Sequence, residues 1–213
     1  MSLNNDNIFG NDKAGYQGQG YCAKWDLEDQ MYVIKLFSKI RHATRDKDHY
    51  NKKFLTEGFN DRLERAWNDH THILDEHGNE FEPLEVTKST NKIVNDGLTR
   101  IAELVTGSSS NMWTHLAVGS GSGPVSLSDT FLQTEVERVS LATDGFQSAA
   151  GSVMRYGGFF APSVASGTIA EAAVFDDPTA GTMFFRTVYP TPIIHIVNSD
   201  FFSISHSIFS VSV

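Results

Sequence analysis

The stretch GTIAEAAVFDDPTAGTMFFRTVYP, Gly167 to Pro190, decides the fold. It holds two runs, near 168–175 and 182–189, whose hydrophobic period is two, the repeat of a β-strand with alternating faces. Between them Asp176-Asp177-Pro178 supplies turn chemistry, which accounts for the paired carboxylates without a glycoside-cleaving role. Working outward, similar runs occur near 113–118, 153–161 and 201–213, each bounded by Gly, Pro, Asp or Ser. Several short strands separated by turn signals predict a mainly β chain, an antiparallel β-sandwich of the Ig-like or jelly-roll-like kind. Within the last run the apolar phase flips at Ile208-Phe209, so a β-bulge or a change of packing partner is expected there.

Glu171 stands on the strand phase of Ile169, Ala173 and Phe175. A carboxylate in an apolar phase needs a partner, and the second half of the chain offers few cations. Arg138 or Arg186 is the expected partner, in a structural ion pair rather than a catalytic one.

Upstream, the period lengthens. Ser89 or Thr90 can cap a helix carrying Ile93, Val94, Leu98, Ile101, Leu104 and Val105 on one face, and Gly107 supplies its stop. Two earlier helices are predicted near 27–43, behind Asp26 as N-cap, and near 57–69. Ile73-Leu74 and Phe81 to Val86 read as a small hairpin, with Pro83 restricting its second strand to an edge. Residues 1–21 carry four Asn and four Gly and read as a flexible arm. Ile8, Phe9, Tyr16 and Tyr21 are its candidate attachment contacts. The domain reading is therefore an arm (1–21), a helical attachment region with a hairpin (22–87), and a helix plus β-sandwich (88–213).

Composition narrows the function classes. The chain has 213 residues and a formal charge of −9, with only Arg138, Arg155 and Arg186 as Lys or Arg beyond residue 100. That leaves no cationic stripe for phosphates, so nucleic acid is not an expected partner. No run reaches the ~18 continuous apolar residues of a membrane span, and no basic-then-apolar leader opens the chain. The single Cys22 excludes an intrachain disulfide, so synthesis in a reducing cytosol is expected.

The remaining motifs carry no cofactor or metal. Gly119-Ser120-Gly121-Ser122-Gly123 lacks both the following helix and the Lys-Ser or Lys-Thr of a phosphate loop, so it reads as a structural loop. His70, His72 and His77 beside Asp75 and Glu76 match no specific metal spacing and read as a solvated turn. No Gly-x-Ser-x-Gly elbow is present, and Cys22 has no identifiable base nearby.

Four stretches in order carry a resemblance: NKIVNDGLTRIAELVTG (Asn91 to Gly107), HLAVGSGSGPVSLSDTFLQTEVERV (His115 to Val139), GTIAEAAVFDDPTAGTMFFRTVYP and the terminal alternating strand. Together they resemble a module of tailed-bacteriophage structural proteins. That module runs from a helix through a strand ending in a Gly-Thr/Ser-Gly loop. A Ser-Asp-Thr segment, an Arg-containing stretch, a Thr-Ile-x-Glu-x-x-x-Phe strand and a final apolar strand follow. The resemblance covers about residues 90–213. It implies a virion protein of a tail fibre, baseplate, neck or capsid surface, made in the host cytoplasm. No catalytic residues carry over, and Glu171, Arg138 and Arg186 match structural positions. Other virion proteins are its implied partners, and the sparse charge and abundant apolar strands after Lys92 predict a homo-oligomer, a trimer first by analogy with viral fibres. The competing class is a module binding a host-surface receptor or glycan, with Trp113, Tyr156, Phe159 and Phe160 as stacking surfaces if exposed.

Overall fold

The computed structural model describes residues 18–26, 73–74, 80–81, 84–150, 153–160, 164–195 and 200–209. Eleven strands and one helix lie among them: β1 (Gly18–Asp26), β2 (Ile73–Leu74), β3 (Glu80–Phe81), β4 (Glu85–Ile93), α1 (Asn95–Thr106), β5 (His115–Gly119), β6 (Glu135–Ser140), β7 (Gly145–Ala150), β8 (Val153–Phe160), β9 (Gly167–Phe175), β10 (Met183–His195) and β11 (Asp200–Phe209). β2 and β3 pair as a separate two-stranded hairpin. The other nine form one antiparallel sheet in the order β6-β5-β9-β10-β4-β1-β11-β8-β7.

The mainly β, antiparallel expectation therefore stands, while the two separate sheets of a sandwich do not. A single sheet curls into a half-barrel instead. Its halves meet across one core: Leu116 and Val118 of β5 and Val139 of β6 share a cluster with Tyr156 and Phe160 of β8. Leu98, Ile101 and Leu104 of α1 pack against the same cluster. On the opposite face Ala117, Ala173, Phe175 and Met183 form a second cluster with Val94 and Leu132. β5, β9 and the start of β10 are thus covered on both sides, by the core within and by the segment 120–134 without.

Several boundaries differ from the sequence reading. The helix expected from Ser89 or Thr90 begins at Asn95, and residues 85–93 are strand. The reason lies in the alternation Thr87, Asn91 and Ile93 inward against exposed Lys88, Thr90 and Lys92, with both edges of β4 paired, to β1 and β10. Gly107 does end the helix, in the left-handed conformation (φ 73°), with its N–H on the Leu104 carbonyl.

The last residues of the expected arm are strand. Gly18 to Tyr21 belong to β1, which lies between β4 and β11. Tyr21 is therefore a strand residue, while Ile8, Phe9 and Tyr16 lie outside the described residues. So do the helices expected at 27–43 and 57–69, and His70, His72 and His77. β1 and β4 also place a domain boundary near residue 88 inside the sheet. β11 pairs without a register shift through Ile208 on one side and Phe209 on the other, so no bulge occurs at the phase flip. Register shifts occur in β10, between Met183 and Arg186 and between Val188 and Ile193, and also between β5 and β6 at Val118 and Gly119. The second shift in β10 spans Pro190 and Pro192, which have no N–H for the ladder.

Asn91 and Thr187 face each other across β4 and β10, both buried, yet among the described residues neither the Asn91 amide nor the Thr187 hydroxyl has a hydrogen-bond partner. Thr187→Val removes one such group at almost constant volume. It is expected to raise stability by about 1–2 kcal/mol, read as a later midpoint in denaturant with unchanged slope. An earlier midpoint would show that the hydroxyl is satisfied.

Candidate functional site

The conspicuous polar cluster is built on β9 and β10. Their register sets Glu171 opposite Val188 and Ala173 opposite Arg186, which places Glu171 and Arg186 diagonally on one face. Both side chains are fully buried. Arg186 Nε donates to Glu171 Oε2 at 2.8 Å, and Nη2 lies 2.6 Å from the same oxygen. Arg186 Nη1 donates to Asp129 Oδ2 at 2.8 Å, and Nη2 also reaches the Gly123 carbonyl at 3.3 Å.

The carboxylate is equally engaged from above. Glu171 Oε1 accepts the N–H groups of Gly121 at 3.0 Å and Thr134 at 2.9 Å, and Oε2 accepts that of Gln133 at 3.3 Å. Segment 120–134 is thereby stapled to the outer face of the sheet by both members of the pair. Asp129 completes the hold: it accepts the Ser126 N–H and returns its own N–H to the Ser126 carbonyl. The glycine run has its explanation here. A Cβ at Gly121 would stand 2.4 Å from Glu171 Oε1, so only glycine lets the backbone come down onto the carboxylate. The close approach expected for a phosphate is made to a side-chain anion instead.

Of the two arginines expected for Glu171, Arg186 makes the contact. Arg138 belongs to a neighbouring arrangement. Its Nε and Nη2 donate to Glu135 at 2.9 and 2.7 Å, and its guanidinium carbon lies 3.8 Å from the centre of the Phe175 ring. Its Nη1 donates to the carbonyls of Asp177 and Ala180, both at 2.7 Å. That fastens the turn between β9 and β10. Arg100 of α1 holds the same turn from the other side, through Asp176 Oδ2 at 2.7 Å and Thr182 Oγ1 at 3.1 Å. Asp176 is half-buried rather than a freely exposed turn residue, a role that Asp-Asp-Pro did not disclose.

Titration of the nearby groups follows from these contacts. The N–H groups of Thr179 and Ala180 hold the Asp177 carboxyl below its ordinary range. Partial burial, with the Arg138 cation second, lowers the His115 imidazole, and Asp177 opposes this. Burial pushes the Cys22 thiol up, which keeps it protonated and unreactive.

Each oxygen of Glu171 and each nitrogen of Arg186 has a protein partner, and neither side chain meets solvent. Such a pair positions backbone. Among the described residues no group of three or more His, Cys, Asp or Glu is arranged to hold a metal ion, and no helix is long and apolar enough to cross a membrane. The candidate stacking aromatics are core: Trp113, Tyr156 and Phe160 are buried, and only Phe159 is partly exposed. Sequence reasoning missed Asp129, although its Ser-Asp-Thr setting after the glycine loop was the available signal. Comparison of the chain with models of known protein families returns no match, and comparison with curated proteins returns none.

Proposed function

We propose that the chain is a non-enzymatic structural protein of a tailed-phage virion, joined to tail, neck or capsid through its N-terminal part and displaying the half-barrel where the resembled module has its sandwich. One observation supports this reading above others: three of the ordered motifs behind the resemblance meet in a single object. The glycine loop, the Ser-Asp-Thr segment and the Thr-Ile-x-Glu strand contribute Gly121, Asp129 and Glu171 to one buried staple closed by Arg186, with Arg138 of the Arg-containing stretch in the neighbouring turn arrangement. A motif set that serves to fix a loop on a sheet fits a scaffold whose work is assembly. The buried aromatics take away the surface that a glycan-binding reading relied on. Other virion proteins and further copies of the chain are the partners of this reading. Immunogold labelling of intact particles carrying the native chain tests it. Gold confined to tail, neck or capsid surface is the expected result, and absence of the chain from purified particles would overturn the proposal.

A further inference from the structure

The half-barrel has two edges, and they are not alike. β6 and β7 end the sheet at opposite sides, although only Leu141 to Asp144 separate them in the chain. Among the described residues no strand lies beyond either. An unpaired strand edge is a template for another chain unless charge, proline or a bulge blunts it. β6 is blunted. It carries Glu135, Glu137 and Arg138, and the outward N–H of Arg138 is already taken by the Glu137 carboxylate at 3.0 Å. β7, GFQSAA, has neither charge nor proline, and no charged residue occurs between Asp144 and Arg155.

We infer that β7 is the homo-oligomeric contact, pairing antiparallel with β7 of a second copy about a two-fold axis at Gln147, whose backbone N–H and C=O point away from β8. The occupant follows from charge. Two copies of a chain with net charge −9 repel wherever acidic surfaces approach, and β7 is where they do not. The two-fold register is also self-consistent. It sets Gln147 opposite Gln147 of the second copy, Phe146 opposite Ser148 and Gly145 opposite Ala149, with no like charges facing. A cyclic trimer built through sheet edges would instead need β7 of one copy against the guarded β6 of the next. The inference rests on self-association alone and stands apart from the virion role.

Paired charge variants test it by native mass spectrometry and light scattering across micromolar concentrations. Gln147→Lys and Gln147→Glu each set like charges opposite one another at the axis, and each is expected to weaken a dimer roughly tenfold or more. Mixed in equal amounts they set opposite charges together, so the dimer of the mixture should match or exceed the wild type. Hydrogen exchange of the unaltered chain gives a second readout, with protection of Gly145–Ala150 expected to rise with protein concentration. A monomeric or trimeric wild type, variants that dimerise as well alone as mixed, or β7 protection independent of concentration would overturn the inference.

Discussion

Replacing Arg186 by Met is expected to destabilise the chain by roughly 3–5 kcal/mol, because it strands the buried Glu171 carboxylate without its cation. The cost has two sources. Glu171 has no solvent to turn to, and Asp129 loses the guanidinium that draws it to the sheet. Glu171→Gln should cost a comparable amount by a different route. The glutamine NH2 would present donors to Arg186 or to the N–H groups of Gly121, Gln133 and Thr134, where the carboxylate presents acceptors. The double variant is expected to be less destabilised than the sum of the two, with coupling of about 1–3 kcal/mol.

It should not return to wild-type stability, since those three N–H groups still need full acceptors. Arg138→Met is the control. Its guanidinium serves Glu135, Phe175 and the 176–182 turn, so it should be additive with Glu171→Gln to within about 0.5 kcal/mol. Denaturant unfolding of the six proteins at constant oligomeric state measures the cycles. Near-zero, additive effects of Glu171→Gln and Arg186→Met would refute the staple.

What the sequence disclosed about this site, and what it withheld, follows from how far apart the contributing residues are. The need of Glu171 for a cation was legible because strand alternation is local. The choice between Arg138 and Arg186 was not, because it depends on sheet order and register: β9 lies between β5 and β10, and the diagonal to β10 brings in Arg186. The same distinction separates the elements. β9, the start of β10 and the Gly107 stop carry strong local signals. β1, GQGYCAKWD, has no β-branched residue and two glycines, and becomes a strand because β4 and β11 pair with it on both sides. Ile93 and Val94 fit the helical spacing as well as the strand. The strand takes Ile93 because it pairs there with Phe185 of β10, and Val94 caps α1 with no side-chain hydrogen bond to help it.

Phe184→Ala is the second large effect, expected to cost roughly 3–5 kcal/mol. The bulge between Met183 and Arg186 allows both Phe184 and Phe185 to enter the inner core, against strict alternation. Phe184 is its centre: its ring stacks on Trp113 at 3.9 Å and 16°, and meets the edge of Tyr156 at 5.7 Å. Truncation removes a fully buried ring between groups that other contacts hold in place, so the void cannot collapse completely. The Phe184 backbone also seats α1. Its carbonyl accepts the N–H of Val94 at 3.1 Å, and a Cβ on Gly97 would stand 2.2 Å from the same oxygen. Loss of the ring should therefore be felt in two places at once. The near-ultraviolet circular dichroism of Trp113 should weaken, and amides of Asn95–Thr106 should exchange faster relative to those of β9. Phe184→Leu keeps most of the volume without the stacking and should fall between wild type and Phe184→Ala in both readouts. An alanine variant that unfolds at the wild-type midpoint, with α1 equally protected, would mean that the helix is held by Arg100 and its turn contacts rather than by the aromatic core.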